Sequence, residues 1–112
     1  MRYAVPVTDG SLAAHFGHCE QFALFDVDET RMEITRSSIV TSPGHQPGFL
    51  PSWLSEQGVS VIIAGGMGSR AMDLFQQNRI KVIIGAMETN PEKAVLSHLQ
   101  GNLATGQNVC DH

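Results

Sequence analysis

Three stretches of this sequence combine residue types at spacings that could do chemistry. The first is Ala14-His15-Phe16-Gly17-His18-Cys19, which puts two imidazoles and a thiol within five residues. Thiolate with imidazole suits zinc, copper(I) or iron-sulfur species better than magnesium or calcium, although the spacing matches no standard zinc motif. Read without a ligand, Phe16 plugs into a core, Gly17 supplies a turn and the histidines are solvated. The second is Ala64-Gly65-Gly66-Met67-Gly68-Ser69-Arg70. Its glycines let backbone approach a ligand closely, a following helix would aim its first N–H groups at an anion, and Arg70 adds positive charge. It lacks the Lys-Ser/Thr of a Walker loop and is not a complete dinucleotide fingerprint. Read blandly, it is a tight turn that needs glycine, and Met67 is loop packing whose thioether would tolerate a soft inorganic ligand. The third is the terminal Asn108-Val109-Cys110-Asp111-His112, a Cys-x-His that could ligate or could be a disordered tail.

Other candidates weaken on inspection. His98 falls beside Leu99 in a helical pattern, Trp53 with Leu54 reads as core, and Asp26, Asp28 and Glu29 run from a strand into a turn where solvated acids collect. There is no Gly-x-Ser-x-Gly elbow for a serine hydrolase. Seven Lys/Arg against eleven Asp/Glu give a formal charge of -4, which excludes the basic field that nucleic acid needs. The N-terminus becomes polar at Thr8-Asp9-Gly10 before a signal region forms, and no run approaches a membrane span, so a cytoplasmic protein without a membrane partner is expected. Cys19 and Cys110 are then expected to be reduced thiols and not a disulfide.

The elements that must position these residues follow from periodicity. A chain of 112 residues, 42% of them hydrophobic, suits a single domain over 1–112, with a flexible tail expected over 102–112. Arg2 to Val7, Gln21 to Val27 and Met32 to Val40 are strand-like, the last two joined by the polar turn 28–31 into an antiparallel hairpin. After the Pro/Gly-rich stretch 41–48, helical faces (Phe49, Leu50, Trp53, Leu54; Ala71, Met72, Leu74, Phe75; Val95, Leu96, Leu99) alternate with the apolar runs Val59 to Ala64 and Val82 to Ile84. Pro51 fits a first helical turn, Gly58 and Gly101 fit left-handed caps, and Asn90-Pro91-Glu92 is a helix start. The order βββαβαβα predicts an α/β domain with a five-stranded mixed sheet, right-handed crossovers and parallel strands covered on both faces.

Ligands in open α/β sheets sit at the carboxyl ends of the parallel strands. Those ends fall at Thr8, Gly65 and Gly85, and an antiparallel second strand would lay residues 9–20 over the same rim, bringing His15, His18 and Cys19 opposite the glycine loop. His45 would join them if the third strand runs parallel to the first. The last helix should deliver the tail to the other pole, and the eleven residues from Asn102 to His112 can span at most roughly 36–40 Å on the way back.

Together these stretches resemble the dinitrogenase iron-molybdenum cofactor biosynthesis family, small proteins related to the cofactor carriers of nitrogenase assembly. The resemblance runs along nearly the whole chain, on His15-Phe16-Gly17-His18 before a Phe-rich strand ending in Asp26, on Leu50-Pro51-Ser52-Trp53-Leu54, on Val61 to Arg70, and on Cys110-Asp111-His112. It implies a ribonuclease H-like three-layer fold and the binding or transfer of an iron-sulfur or iron-molybdenum-type cluster without turnover. In that reading His15, Gly65, Gly66, Met67, Gly68 and Arg70 cradle the cluster, and His18 and Cys19, joined by Cys110 and His112, ligate it. Donor and acceptor proteins are the implied partners, and a homodimer would pool thiols. Because thiolate and neutral imidazole are the ligating forms, loading should weaken as pH falls through the histidine range.

Three other functions compete. A divalent-metal nuclease or phosphohydrolase would use Asp9, Asp26 or Asp73, but two-metal chemistry needs convergent carboxylates and these fall on different elements. A metal-independent module for a small anion or a protein would stay colourless and metal-free. A structural zinc site at His18, Cys19, Cys110 and His112 would be colourless but sensitive to chelators.

Overall fold

A computed structural model of the chain describes residues 1–44 and 48–106, with His18 described through its backbone. β1 (Arg2–Thr8) turns into β2 (Ser11–Leu12), and a 3-10 turn (Phe16–His18) leads to β3 (Gln21–Asp28) and β4 (Glu33–Thr41). There follow α1 (Phe49–Glu56), β5 (Val61–Ile63), α2 (Ser69–Gln77), β6 (Lys81–Ile83) and α3 (Pro91–Leu99). The strands lie in the order β4-β3-β1-β5-β6, with β2 paired to the end of β1.

The sheet thus has six strands where five were expected. The additional one exists because Asp9 (φ 53) and Gly10 (φ 80) both adopt positive φ, the geometry of a two-residue primed turn whose twist matches a hairpin. Ser11 then pairs with Thr8 and Leu12 with Val7. β3 is antiparallel to both β1 and β4, whereas β5 and β6 run parallel to β1. The carboxyl ends of β1, β4, β5 and β6 therefore gather at one rim, together with the start of β3. His45 lies outside the described residues, and the chain leaves β4 for it from this rim.

The period-two alternation of each strand divides the core between the two faces of the sheet. Ala4, Phe22, Leu24 and Ile62 meet Leu50 and Leu54 of α1 and Phe75 of α2. On the other face, Tyr3, Val5, Phe25 and Ile63 meet Ala94 and Val95 of α3. All three residues of β5 are buried, as a parallel strand between two helical layers requires. β6 departs from that expectation: it is the sheet edge, and Lys81 is exposed while Val82 and Ile83 are half-buried. The helix signals act as expected. Asn90 Oδ1 accepts from the Lys93 amide at 3.0 Å, ahead of Pro91 in the first turn, and Gly58 and Gly101 follow α1 and α3 with φ 81 and 77.

Candidate binding site at the carboxyl rim

Two loops and a returning segment build the rim. The first loop leaves β2, where the Leu12 amide donates to the Thr89 carbonyl at 2.8 Å and the Ala13 amide to the Pro6 carbonyl at 2.8 Å. It then lies on the second loop, the one after β5. The Phe16 amide donates to the Gly66 carbonyl at 2.9 Å, and a Cβ on Gly65 would stand 2.9 Å from the Ala14 carbonyl oxygen and 3.0 Å from that of Ala13. Gly65 is thus a glycine because backbone occupies the place of its side chain. The 9–20 connection does cross the rim opposite the glycine loop, and the contact between them is backbone on backbone.

The third component is the chain after α3. It climbs back to the rim: the Met87 amide donates to the Ala104 carbonyl at 3.1 Å, the Gly106 amide to the Gly85 carbonyl at 2.6 Å, and Ala86 bridges Thr105. Gly85 has φ 74, and a Cβ there would run into the Gly106 backbone. The described chain ends at Gly106, at the rim. Cys110 and His112 lie outside the described residues.

Between these components is a cavity of about 370 Å³, walled by Leu12, Ala14, Gly65 and Gly106 and by the loop after β6 from Gly85 to Thr89. Its position at the carboxyl ends of β5 and β6 is the one expected for a ligand in this topology. At the same rim α2 starts at Gly68, Ser69 and Arg70, all exposed. That start has no capping side chain and no acidic residue in its first turn. Arg70 sits there against the positive end of the helix dipole, an arrangement that an anion would relieve.

The expected site residues divide by where they fall. His15 is exposed at the rim, one residue before the 3-10 turn that His18 closes. Gly65 lines the cavity, Gly66 is buried under the Phe16 contact, and Gly68 and Arg70 open α2. Cys19 and Met67 are in the core. Cys19 is 4% exposed and Met67 1%, both in the cluster with Phe16, Phe22 and Phe75. Burial pushes the Cys19 thiol up to about 11, so in this conformation it is a protonated packing group and not a thiolate at the surface. Met67 likewise packs in that cluster.

The carboxylates of the nuclease reading do not converge. Asp9 is at the hairpin tip, Asp73 is on α2, and Asp26 is at the opposite pole in an ion pair with Arg2 at 2.7 Å. Among the described residues, no three His, Cys, Asp or Glu side chains are grouped to hold a metal ion. No described helix is long and apolar enough to cross a membrane. Sequence reasoning missed Leu12, Ala86, Met87, Glu88, Thr89 and Gly106 in the cavity walls. Their signal was topological: Gly85 ends a parallel strand, so the loop that follows belongs to the rim.

The chain is similar to proteins of known sequence and structure over nearly its whole length. An uncharacterised protein of Methanocaldococcus jannaschii is 29% identical over 108 residues, spanning 92% of this chain and 89% of its own. The crystal structure of PH0822 superposes with a TM-score of 0.85 at 24% identity, covering 94% of each chain. The apo form of the orange protein from Desulfovibrio gigas does so with a TM-score of 0.71 at 24% identity, covering 96% of this chain and 93% of that one. These two likenesses establish the shared fold. A sequence profile matches residues 1–101, which takes in every strand and helix, the 13–19 loop and the glycine loop. By that match the chain belongs to the dinitrogenase iron-molybdenum cofactor family.

Proposed function

We propose that this protein binds and carries an anionic iron-sulfur or molybdenum-containing cluster at the carboxyl rim, in cofactor assembly or transfer, without turnover of its own. The observation that carries this reading is the presence of two features at one rim in a family named for such a cofactor: a glycine-opened cavity, and a helix start with no capping side chain and Arg70 in its first turn. A pre-assembled cluster brings its own sulfides and needs few protein ligands, which fits a rim where donors are sparse. His15 and His18 are the imidazoles that could ligate it, and Cys110 and His112 are the candidates from the tail. Cys19 could ligate only by leaving its apolar pocket. A site of this kind holds its cargo reversibly, as a carrier between a donor and an acceptor protein must. The reducing cytoplasm, where cysteines stay thiols, is its natural compartment.

The test is anaerobic reconstitution with iron and sulfide and, separately, with molybdate, followed by metal analysis and a visible spectrum. The wild type should take up a stoichiometric chromophore, and His15→Ala/His18→Ala should lose it. Cys19→Ala, which removes a buried thiol, should load like the wild type. A wild type that stays colourless and metal-free throughout would overturn the reading in favour of a metal-independent anion or protein-binding module.

A further inference from the structure

We propose that Met87 is the contact that selects sulfide-surfaced cargo over oxyanions at the rim; the inference rests on the carrier reading above. Met87 is 68% exposed, yet the loop that bears it is braced. Its amide donates to Ala104, and its neighbour Ala86 pairs with Thr105. Such bracing fixes where the side chain starts, while its rotatable bonds let the polarisable thioether follow an irregular surface. The sulfur lies 3.7 Å from where a Gly106 Cβ would stand, so the side chain lies over Gly106 at van der Waals distance.

The other walls explain the direction of the selection. Leu12, Ala14 and Ala86 present carbon, and among the described lining residues Glu88 is the one with a titratable side chain. An oxyanion has dense charge and must receive hydrogen bonds or cations in exchange for water. Among these side chains the Thr89 hydroxyl alone can donate a hydrogen bond and none is a cation. A cluster surfaced with sulfide spreads its charge over large, polarisable atoms. It gains dispersion from carbon walls and sulfur contact from the thioether.

The pair tungstate and tetrathiotungstate, alike in charge and tetrahedral shape and different in surface atom, isolates this selection. Binding is measured by equilibrium dialysis with metal analysis, and contact by the ε-methyl resonances of 13C-labelled methionines. The wild type should hold tetrathiotungstate at least roughly tenfold more tightly than tungstate. Met87→Gln should lose roughly fivefold to tenfold of that affinity and leave tungstate binding unchanged, while Met87→Leu, apolar without sulfur, should lose less. The Met87 methyl should shift on adding the thio-probe and the core Met67 methyl should not; unchanged Met67 and Met72 resonances in the variants report an intact fold. A wild type that does not discriminate, or a Met87→Gln that weakens both probes equally or neither, would overturn the assignment. If the wild type still takes up a reconstituted cluster in that case, the carrier reading stands without Met87. If it takes up neither cluster nor probe, both fall.

Discussion

Gly65→Ala tests whether backbone contact between the two rim loops holds the site together. The new Cβ would meet the Ala14 carbonyl oxygen at 2.9 Å, that of Ala13 at 3.0 Å and the Ala14 Cα at 3.1 Å, all backbone atoms that no rotamer change can move. The 13–16 loop has two ways to respond. It can swing off, giving up the Phe16 amide bond to Gly66 and drawing the Phe16 ring away from Phe22 and Phe75. That costs about 1 kcal/mol for the bond and about 1.5–3 for the ring. Or it can stay and shift by a few tenths of an ångström, at the 1–3 kcal/mol or so typical of overpacking. The second response is the smaller, so the loop should stay and strain. Alanine also stiffens the unfolded chain, which returns about 0.4–1 kcal/mol. The net loss should be about 1–2 kcal/mol, or roughly 4–8 °C in Tm for a domain of this size. Gly17→Ala, in the same loop with nothing within 4 Å of its Cβ, should be neutral or slightly stabilising. Urea and thermal unfolding followed by far-UV circular dichroism measure both. Gly65→Ala as stable as the wild type, or Gly17→Ala equally destabilised, would refute the argument.

Gly85→Ala combines a φ of 74 with a clash against Gly106, and the cheapest relief is to release residues 103–106, so hydrogen exchange at the Met87 and Gly106 amides should accelerate well before global unfolding. Tyr3→Phe removes the 2.7 Å hydrogen bond to His98 Nδ1 and should cost about 1 kcal/mol in urea unfolding at pH 7.5. Burial, and secondarily Lys81, hold the His98 imidazole below its ordinary value, so the stability tied to the neutral ring is present above the ordinary histidine value and is lost as pH falls through the lowered one. A His98→Gln variant should therefore lose less stability than the wild type between pH 7.5 and pH 5. Arg2 donates to Asp26 and holds its carboxyl below the ordinary range. Both side chains are about a third exposed, so Asp26→Asn should cost only about 0.5–1 kcal/mol at pH 7, a difference that fades as pH falls below the ordinary carboxylate value and through the lowered one.

Much of the fold was legible because its elements carry their own boundary chemistry. Asn90-Pro91 starts α3, Gly58 and Gly101 follow helices in left-handed conformation, and the β3–β4 hairpin turns through its polar 28–31 segment. Two features were not read. Asp9-Gly10 is a strong hairpin signal, but β2 has only two residues, too few to display the alternation that marks a strand. The run Val82 to Ile84 looks like a covered strand because it is apolar, and only the order β4-β3-β1-β5-β6 shows β6 to be an edge. Local pattern reports hydrophobicity; it does not report what sits alongside.

At the candidate site the strand order points to the rim, while Cys19 and Met67, two of the residues expected there, pack in the core. Phe16 and Cys19 are three residues apart around a 3-10 turn, where positions i and i+3 eclipse, so the spacing that buries Phe16 buries Cys19 with it. The thiol drew attention as a ligand, and its position relative to the aromatic ring argued for core. The loop after β6 drew no attention because it has no histidine or cysteine, although Gly85 marks the same rim as Gly65. Its walls are glycine backbone, alanine, one exposed thioether, one carboxylate and the Thr89 hydroxyl. Under the proposed carrier function this construction has a reason. Several strong protein ligands on one cargo would make release slow, whereas shape, polarisable contact and a helix start hold a pre-assembled anion without trapping it. Such a site leaves little trace in residue types, and the order and direction of the strands are what locate it.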